Sequence, residues 1–168
     1  GFILKAAEMV KPSVITVLGS GWLLDLPLSE LHERTPEINL VDIVHPPEVR
    51  EQIIKLGGVR LIELDVSGGL IAEVWKKAGN RTILNKLPSL ETIEIPVFDP
   101  GFDPGMVISL NILTQLEALP TEYLRKKSDA REEDLLIFRR TVQERHLSFL
   151  KHHKSVVITD ISEVITEK

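Results

Sequence analysis

The sequence predicts an α/β fold, a doubly wound and mostly parallel sheet with helices on both faces, and two observations carry that reading. First, β-branched apolar runs recur at SVITVLG (13–19), INLVDIV (38–44), VRLIELDV (59–66), MVISLN (106–111) and SVVITDI (155–161). Near-continuous apolar runs of this kind suit strands covered on both faces. Second, the segments between them carry helical patterning with proline near their starts and glycine near their ends. Parallel strands joined through such helices are connected right-handedly in nearly all known cases, which restricts the topology. A chain of 168 residues, 43% of them hydrophobic, is long enough for one domain with a sizeable core, and residues 1–168 are read as that single domain.

Taken in order, GFILKAAEMV reads as an amphipathic opening helix and 13–19 as the first strand. PLSELHER (27–34) is a short helix with Pro27 in its first turn and Asp25 or Leu26 at its cap. After the second strand, PPEVREQIIKLGG (46–58) opens on prolines, has Glu48 in its first turn and ends on glycines. The third strand leads to GLIAEVWKKAG (69–79), a crossover helix closed by Gly79. Residues 80–105 form an insertion or loop segment, with a short strand expected at ETIEIPV (91–97) and doubled turn chemistry in FDPGFDPG (98–105). In Asp-Pro-Gly, Pro fixes φ, Asp bonds its own backbone and Gly admits positive φ. The fourth strand runs into helical material at ILTQLEAL (112–119), a long helix is expected at about 129–153, and the fifth strand follows. In the long helix Leu135, Phe138, Val142, His146, Phe149 and Leu150 recur at steps of three and four, a stripe facing the sheet. His146 within it reads as a core histidine with a backbone partner. SEVITEK (162–168) resembles the start of another element.

Composition narrows the function. A formal net charge of -5, with the basic residues dispersed, argues against nucleic acid as a partner. The chain has no cysteine, which removes disulfides, thiol nucleophiles and thiolate metal sites and accords with a reducing cytoplasm. No apolar run approaches the ~18 residues of a membrane span, and the opening stretch lacks the basic region and cleavage site of a signal peptide. The first residue is Gly rather than Met, which reads as a trimmed start. His146, His152 and His153 have poor spacing for a metal, so no metal site is expected. A small-molecule substrate is favoured over nucleic acid or membrane, and a homo-oligomer is compatible with the composition.

Open α/β sheets bind ligands beyond the carboxyl ends of their strands, where strand order reverses. The strand-end residues here are Gly19 to Gly21, Asp42, Asp65, Asn111 and Asp160. Glycines at 19 and 21 let backbone approach a ligand and leave N–H groups for a carboxylate or phosphate. Asp42, 23 residues after Gly19, lies near the spacing of an acid that accepts ribose hydroxyls. Asp65 could accept from an adenine amino group. Each has a plainer role as well: the glycines as a turn, and Asp42 and Asp65 as caps of the helices that follow them. A dinucleotide fingerprint would need a third glycine where Leu24 stands in G-S-G-W-L-L, which disfavours NAD.

With those residues in place, the chain resembles the class I, Rossmann-like S-adenosylmethionine-dependent methyltransferases. VITVLGSG looks like the family's first motif, NLVDIV like its second and IELDVSG like its third, while MVISLNILTQL resembles the fourth strand. The resemblance implies Gly19, Ser20 and Gly21 under the methionine end of the cofactor, with Trp22 as a wall. It implies Asp42 and Ile43 at the ribose, Asp65 and Val66 at adenine, and Asn111 facing the methyl group. The sequence also departs from the family. Val17 stands where an acid is usual, Leu23 where a third motif glycine would fall, and Ile-Leu-Thr follows Asn111 in place of the Pro-Pro-aromatic signature of amino-directed members. The family's sheet has seven strands with a closing hairpin, so either this sequence stops short of it or the protein is a reduced relative. The implied activity is methyl transfer to an unidentified small molecule. The alternative is a methyltransferase-like fold that binds without catalysis, and an NAD enzyme ranks third. Asp25, Tyr123 and His146 are the candidate general bases.

Overall fold

The computed structural model describes residues 1–79 and 85–160. A helix α1 (Phe2–Val10) precedes strand β1 (Val14–Leu18), followed by α2 (Leu28–His32), β2 (Glu37–Asp42), α3 (Pro47–Ile53), β3 (Val59–Glu63) and α4 (Leu70–Ala78). The second half contains a 3₁₀ turn (Leu90–Thr92), β4 (Met106–Leu110), α5 (Ala118–Lys127), α6 (Glu132–Lys151) and β5 (Ser155–Ile158). All pairings are parallel and the strand order is β3-β2-β1-β4-β5. This is the doubly wound, Rossmann-like sheet that the apolar runs predict.

The side-chain period of two sends alternate strand residues to opposite layers. On one face Ile15 and Val17 of β1, Ile38 and Leu40 of β2, and Ile108 of β4 pack in one core with Ile3 and Ala7 of α1, Leu31 of α2 and Val49 of α3. On the other, Leu18, Val41 and Val107 meet Phe149 and Leu150 of α6. The six predicted stripe residues of α6 are all buried. Leu135, Phe138 and Val142 join α6 to Leu70 and Val74 of α4 and Leu124 of α5.

Several expectations are corrected. Residues 91–97 form no strand: Ser89 caps the short 3₁₀ turn through its Oγ, which accepts from the Glu91 N–H at 3.2 Å, and the chain then runs on irregularly. Pro96 within the stretch lacks the N–H that a ladder needs, and Pro88 just precedes it. Helix α5 begins at Ala118, because residues 112–117 are spent on turns that return the chain from the sheet. Pro27 occupies the cap of α2, so neither Asp25 nor Leu26 caps it. The partner of His146 is a side chain, Ser109 Oγ at 2.8 Å from Nε2, and no backbone group. The expected element at 162–168 lies outside the described residues.

The doubled Asp-Pro-Gly segment forms two Asx turns of the same kind. Asp99 Oδ1 accepts the Gly101 N–H at 2.9 Å, and Asp103 Oδ1 accepts the Gly105 N–H at 3.0 Å. Gly105, at φ +63°, passes so close to β1 that a Cβ would stand 2.3 Å from the Val14 carbonyl oxygen. Thr16 Oγ1 donates to the Pro104 carbonyl at 2.7 Å, which seats the returning chain beside the buried strand.

Candidate functional site

The strand order reverses between β1 and β4, so the seam between their carboxyl ends is the topological switch point. Gly19 sits in that seam. Its N–H donates to Val41 O at 2.9 Å, and at φ +79° a Cβ would lie 2.6 Å from Leu110 O. The glycine is therefore required both by its conformation and by the closeness of β4. Gly21 differs: it has φ +48°, but nothing lies within 4 Å of a Cβ placed there.

The Gly21 N–H points at β2, where Asp42 Oδ2 accepts it at 2.7 Å. Asp42 Oδ1 accepts the N–H of Ile43 at 2.8 Å. Asp42 thus ties the glycine loop to the end of β2 and does not cap α3. Asp65 stands two residues beyond β3, and its Oδ1 accepts the Ser67 N–H at 2.8 Å. Ser67 Oγ in turn accepts from Leu70 N at the start of α4 (3.1 Å). Asp65 therefore does not cap α4: the cap position is Gly69, which has no side-chain cap bond, and Ser67 stands between the carboxylate and the first helical N–H. Each carboxylate oxygen retains a second lone pair for another donor.

Asp42, Ile43, Asp65 and Val66 meet in one open cavity of about 150 Å³, whose apolar lining also includes Ile112, Leu116 and Leu119. Four of the nine sequence-predicted site residues are thus brought together. Gly19, Ser20, Gly21 and Trp22 form the adjoining loop, joined to the cavity through the Gly21–Asp42 bond. Trp22 is 59% exposed, and Ser20 is buried with an unpartnered hydroxyl. Asn111 belongs to a different hollow. It follows β4 at φ +53°, a left-handed conformation that asparagine tolerates, and its Nδ2 donates to Asp25 Oδ2 at 2.9 Å. That hollow, about 690 Å³, also takes in Phe2, Leu24 and Asp160.

The three candidate bases are dispersed. Asp25 is engaged by Asn111. Tyr123 of α5 packs its ring against Trp75, with centroids 6.2 Å apart. His146 is buried behind β4, and burial lowers its pKa to about 4, so it is neutral near pH 7. The titratable side chains in the cavity wall are Asp42 and Asp65.

Sequence reasoning missed the apolar lining, because Leu116 and Leu119 were read only as helical material. It also missed Glu117, which is 2% exposed and accepts from the Arg139 guanidinium at 2.9 Å. A lone glutamate beside apolar neighbours was the available signal. For a nucleoside, the residues fit chemically: two carboxylates with free lone pairs and apolar lining beside them. The space is smaller than the ~300–1,000 Å³ of small-molecule sites, so a whole nucleoside needs the wall or the glycine loop to move.

The fold and this strand-end arrangement define a Rossmann-like α/β protein. Comparison of the chain with protein families, with curated proteins and with solved structures finds no match. Among the described residues no helix is long and apolar enough to cross a membrane.

Proposed function

We propose that this chain binds S-adenosylmethionine at the carboxyl ends of β1 to β3 and transfers its methyl group to a small-molecule acceptor, in a cytoplasmic setting. The observation that carries the reading is the convergence of Asp42 and Asp65 on one cavity beside a glycine loop at the switch point. In this reading Asp42 accepts ribose hydroxyls. Asp65 and Val66, with Ile112 and Leu119 in the same lining, offer an acceptor and apolar walls for a purine. Gly19 and Gly21 keep side chains away from the loop where the amino-acid end would lie.

When bound, the cofactor's sulfonium supplies an electrophilic methyl group, so the protein's task is to position the acceptor and exclude water. That division suits a cavity whose carboxylates bind rather than transfer protons. The dispersal of Asp25, Tyr123 and His146 favours a second reading, a fold that binds the cofactor without turnover. An NAD enzyme is third, since Leu24, in the place of the fingerprint's last glycine, is 88% exposed and far from close-packed.

Calorimetric titration with S-adenosylmethionine, S-adenosylhomocysteine and NAD tests the assignment, beside Asp42→Ala with its melting temperature measured. Micromolar binding of the first two ligands, lost in a folded Asp42→Ala, is expected. Binding of NAD alone, or of none of the three, would overturn it.

A further inference from the structure

We propose that the hollow at the carboxyl ends of β4 and β5 is a ligand site distinct from the Asp42–Asp65 cavity. Its occupant is an organic cation, a protonated amine on a small apolar body, and is independent of whatever the cavity holds. The hollow measures about 690 Å³, within the ~300–1,000 Å³ of small-molecule sites. It lies at the end of the sheet where open α/β folds take ligands. Its lining comes from separate elements: Phe2 and Ile3 of α1, Leu24 and Leu26 before α2, Asn111 after β4 and Thr159 after β5. In α1, Ile3 and Ala7 stand one turn apart and are buried, which leaves Phe2 on an outer flank, 67% exposed. Leu26 is buried and Leu24 is 88% exposed. Apolar surface on two elements is thus left open beside the strand ends.

The charge of the lining has one sign. Asp25, Glu30 and Asp160 all belong to it, and among the described residues no lysine, arginine or histidine does. Among the described residues no side-chain cation or terminal amine pairs with any of the three carboxylates. Asn111 Nδ2 donates to Asp25 Oδ2 at 2.9 Å, which fixes that carboxylate at the end of β4 without neutralising it. Like charges gathered in one hollow repel an anionic ligand and favour a cation. Thr159 adds a second observation: its hydroxyl is buried and has no hydrogen-bond partner, and such groups in native proteins call for one. An ammonium has three donors and no acceptor, so it matches a lining whose ionised groups only accept. The exposed ring of Phe2 offers a face to the same cation.

The experiment titrates the isotope-labelled chain with 2-phenylethylamine and follows backbone amide shifts by NMR. The neutral 2-phenylethanol and the anionic 3-phenylpropionate are the matched controls. Saturable shifts at Asp25, Asn111 and Thr159 are expected with the amine, about tenfold tighter than with the alcohol, the preference that three exposed charges supply. The carboxylate should not bind, and the preference for the amine should shrink as salt rises. Asp25, Glu30 and Asp160 are exposed, so Asp25→Asn, Glu30→Gln and Asp160→Asn together are expected to bring the amine to the alcohol's affinity. Glu30→Gln and Asp160→Asn singly should each weaken it about threefold. Saturating S-adenosylhomocysteine should leave the amine shifts in place. Equal binding of amine and alcohol, shifts outside the hollow, no saturable binding of the amine, or its displacement by S-adenosylhomocysteine would each overturn the site. Amine binding in a chain that fails to bind S-adenosylmethionine would leave this site standing and remove the cofactor reading alone.

Discussion

His146 shows how much one buried ring settles. Its Nε2 shares a 2.8 Å hydrogen bond with Ser109, while Nδ1 has no partner. Burial lowers the folded pKa to about 4, below the ordinary value of 6.5. The unfolded chain therefore binds the proton first as pH falls. The stabilisation from the neutral ring is complete above pH 6.5 and is lost progressively as pH drops toward 4, about 3 kcal/mol across that window by linkage. The melting temperature of the protein should fall between these limits more steeply than that of His146→Gln, and parallel curves would refute the assignment. The helical stripe placed this residue on the sheet correctly. Its partner was not legible, because the step from α6 to β4 crosses 37 residues of sequence.

Among the elements, α6 has the clearest signal and the least obvious anchor. Its apolar stripe read directly as a buried face because period 3.6 is a local property. The anchor, Arg139 with Glu117, joins α6 to the turn before α5, and no local pattern announces it. Glu117 is buried while Arg139 remains partly exposed. Truncating the arginine leaves a buried carboxylate without its cation. Arg139→Ala should therefore cost about 2 kcal/mol in urea unfolding, below the ~3–5 of a fully enclosed pair. Arg140→Ala is the control: its partner Glu144 lies on the surface, and its loss should cost no more than about 0.5 kcal/mol. Equal effects would mean that the Glu117 pair is held no more tightly than a surface one. The failed strand at 91–97 illustrates the opposite case, in which alternating residues met a proline and a preceding serine cap that favour a turn.

Across the whole molecule, the sheet was legible because all five strands are apolar runs whose covering helices are punctuated by Pro and Gly. Strand order and the candidate site followed only in part. The glycines and acids of the site were visible at strand ends, but which of them share a cavity depends on pairing. Asn111 shows the limit: it ends a central strand as expected, yet it turns to Asp25 and a separate hollow.

The twin Asp-Pro-Gly turns have a kinetic consequence. β3 lies at one edge of the sheet, and the next strand must land beyond β1, so residues 64–105 form a long detour before any ladder bond rewards it. Distant pairings of this sort slow folding. Pro100 and Pro104 restrict the chain while it is still unfolded, and the aspartates of both turns then bond their own backbone. The search for β4's place beside β1 thus starts from a narrower set of conformations. Replacing both prolines by alanine should cost about 0.4–1 kcal/mol for each. The loss should fall on the folding arm of the chevron, with the unfolding arm nearly unmoved. A change confined to unfolding would instead mean that these turns set only after the central strands have met.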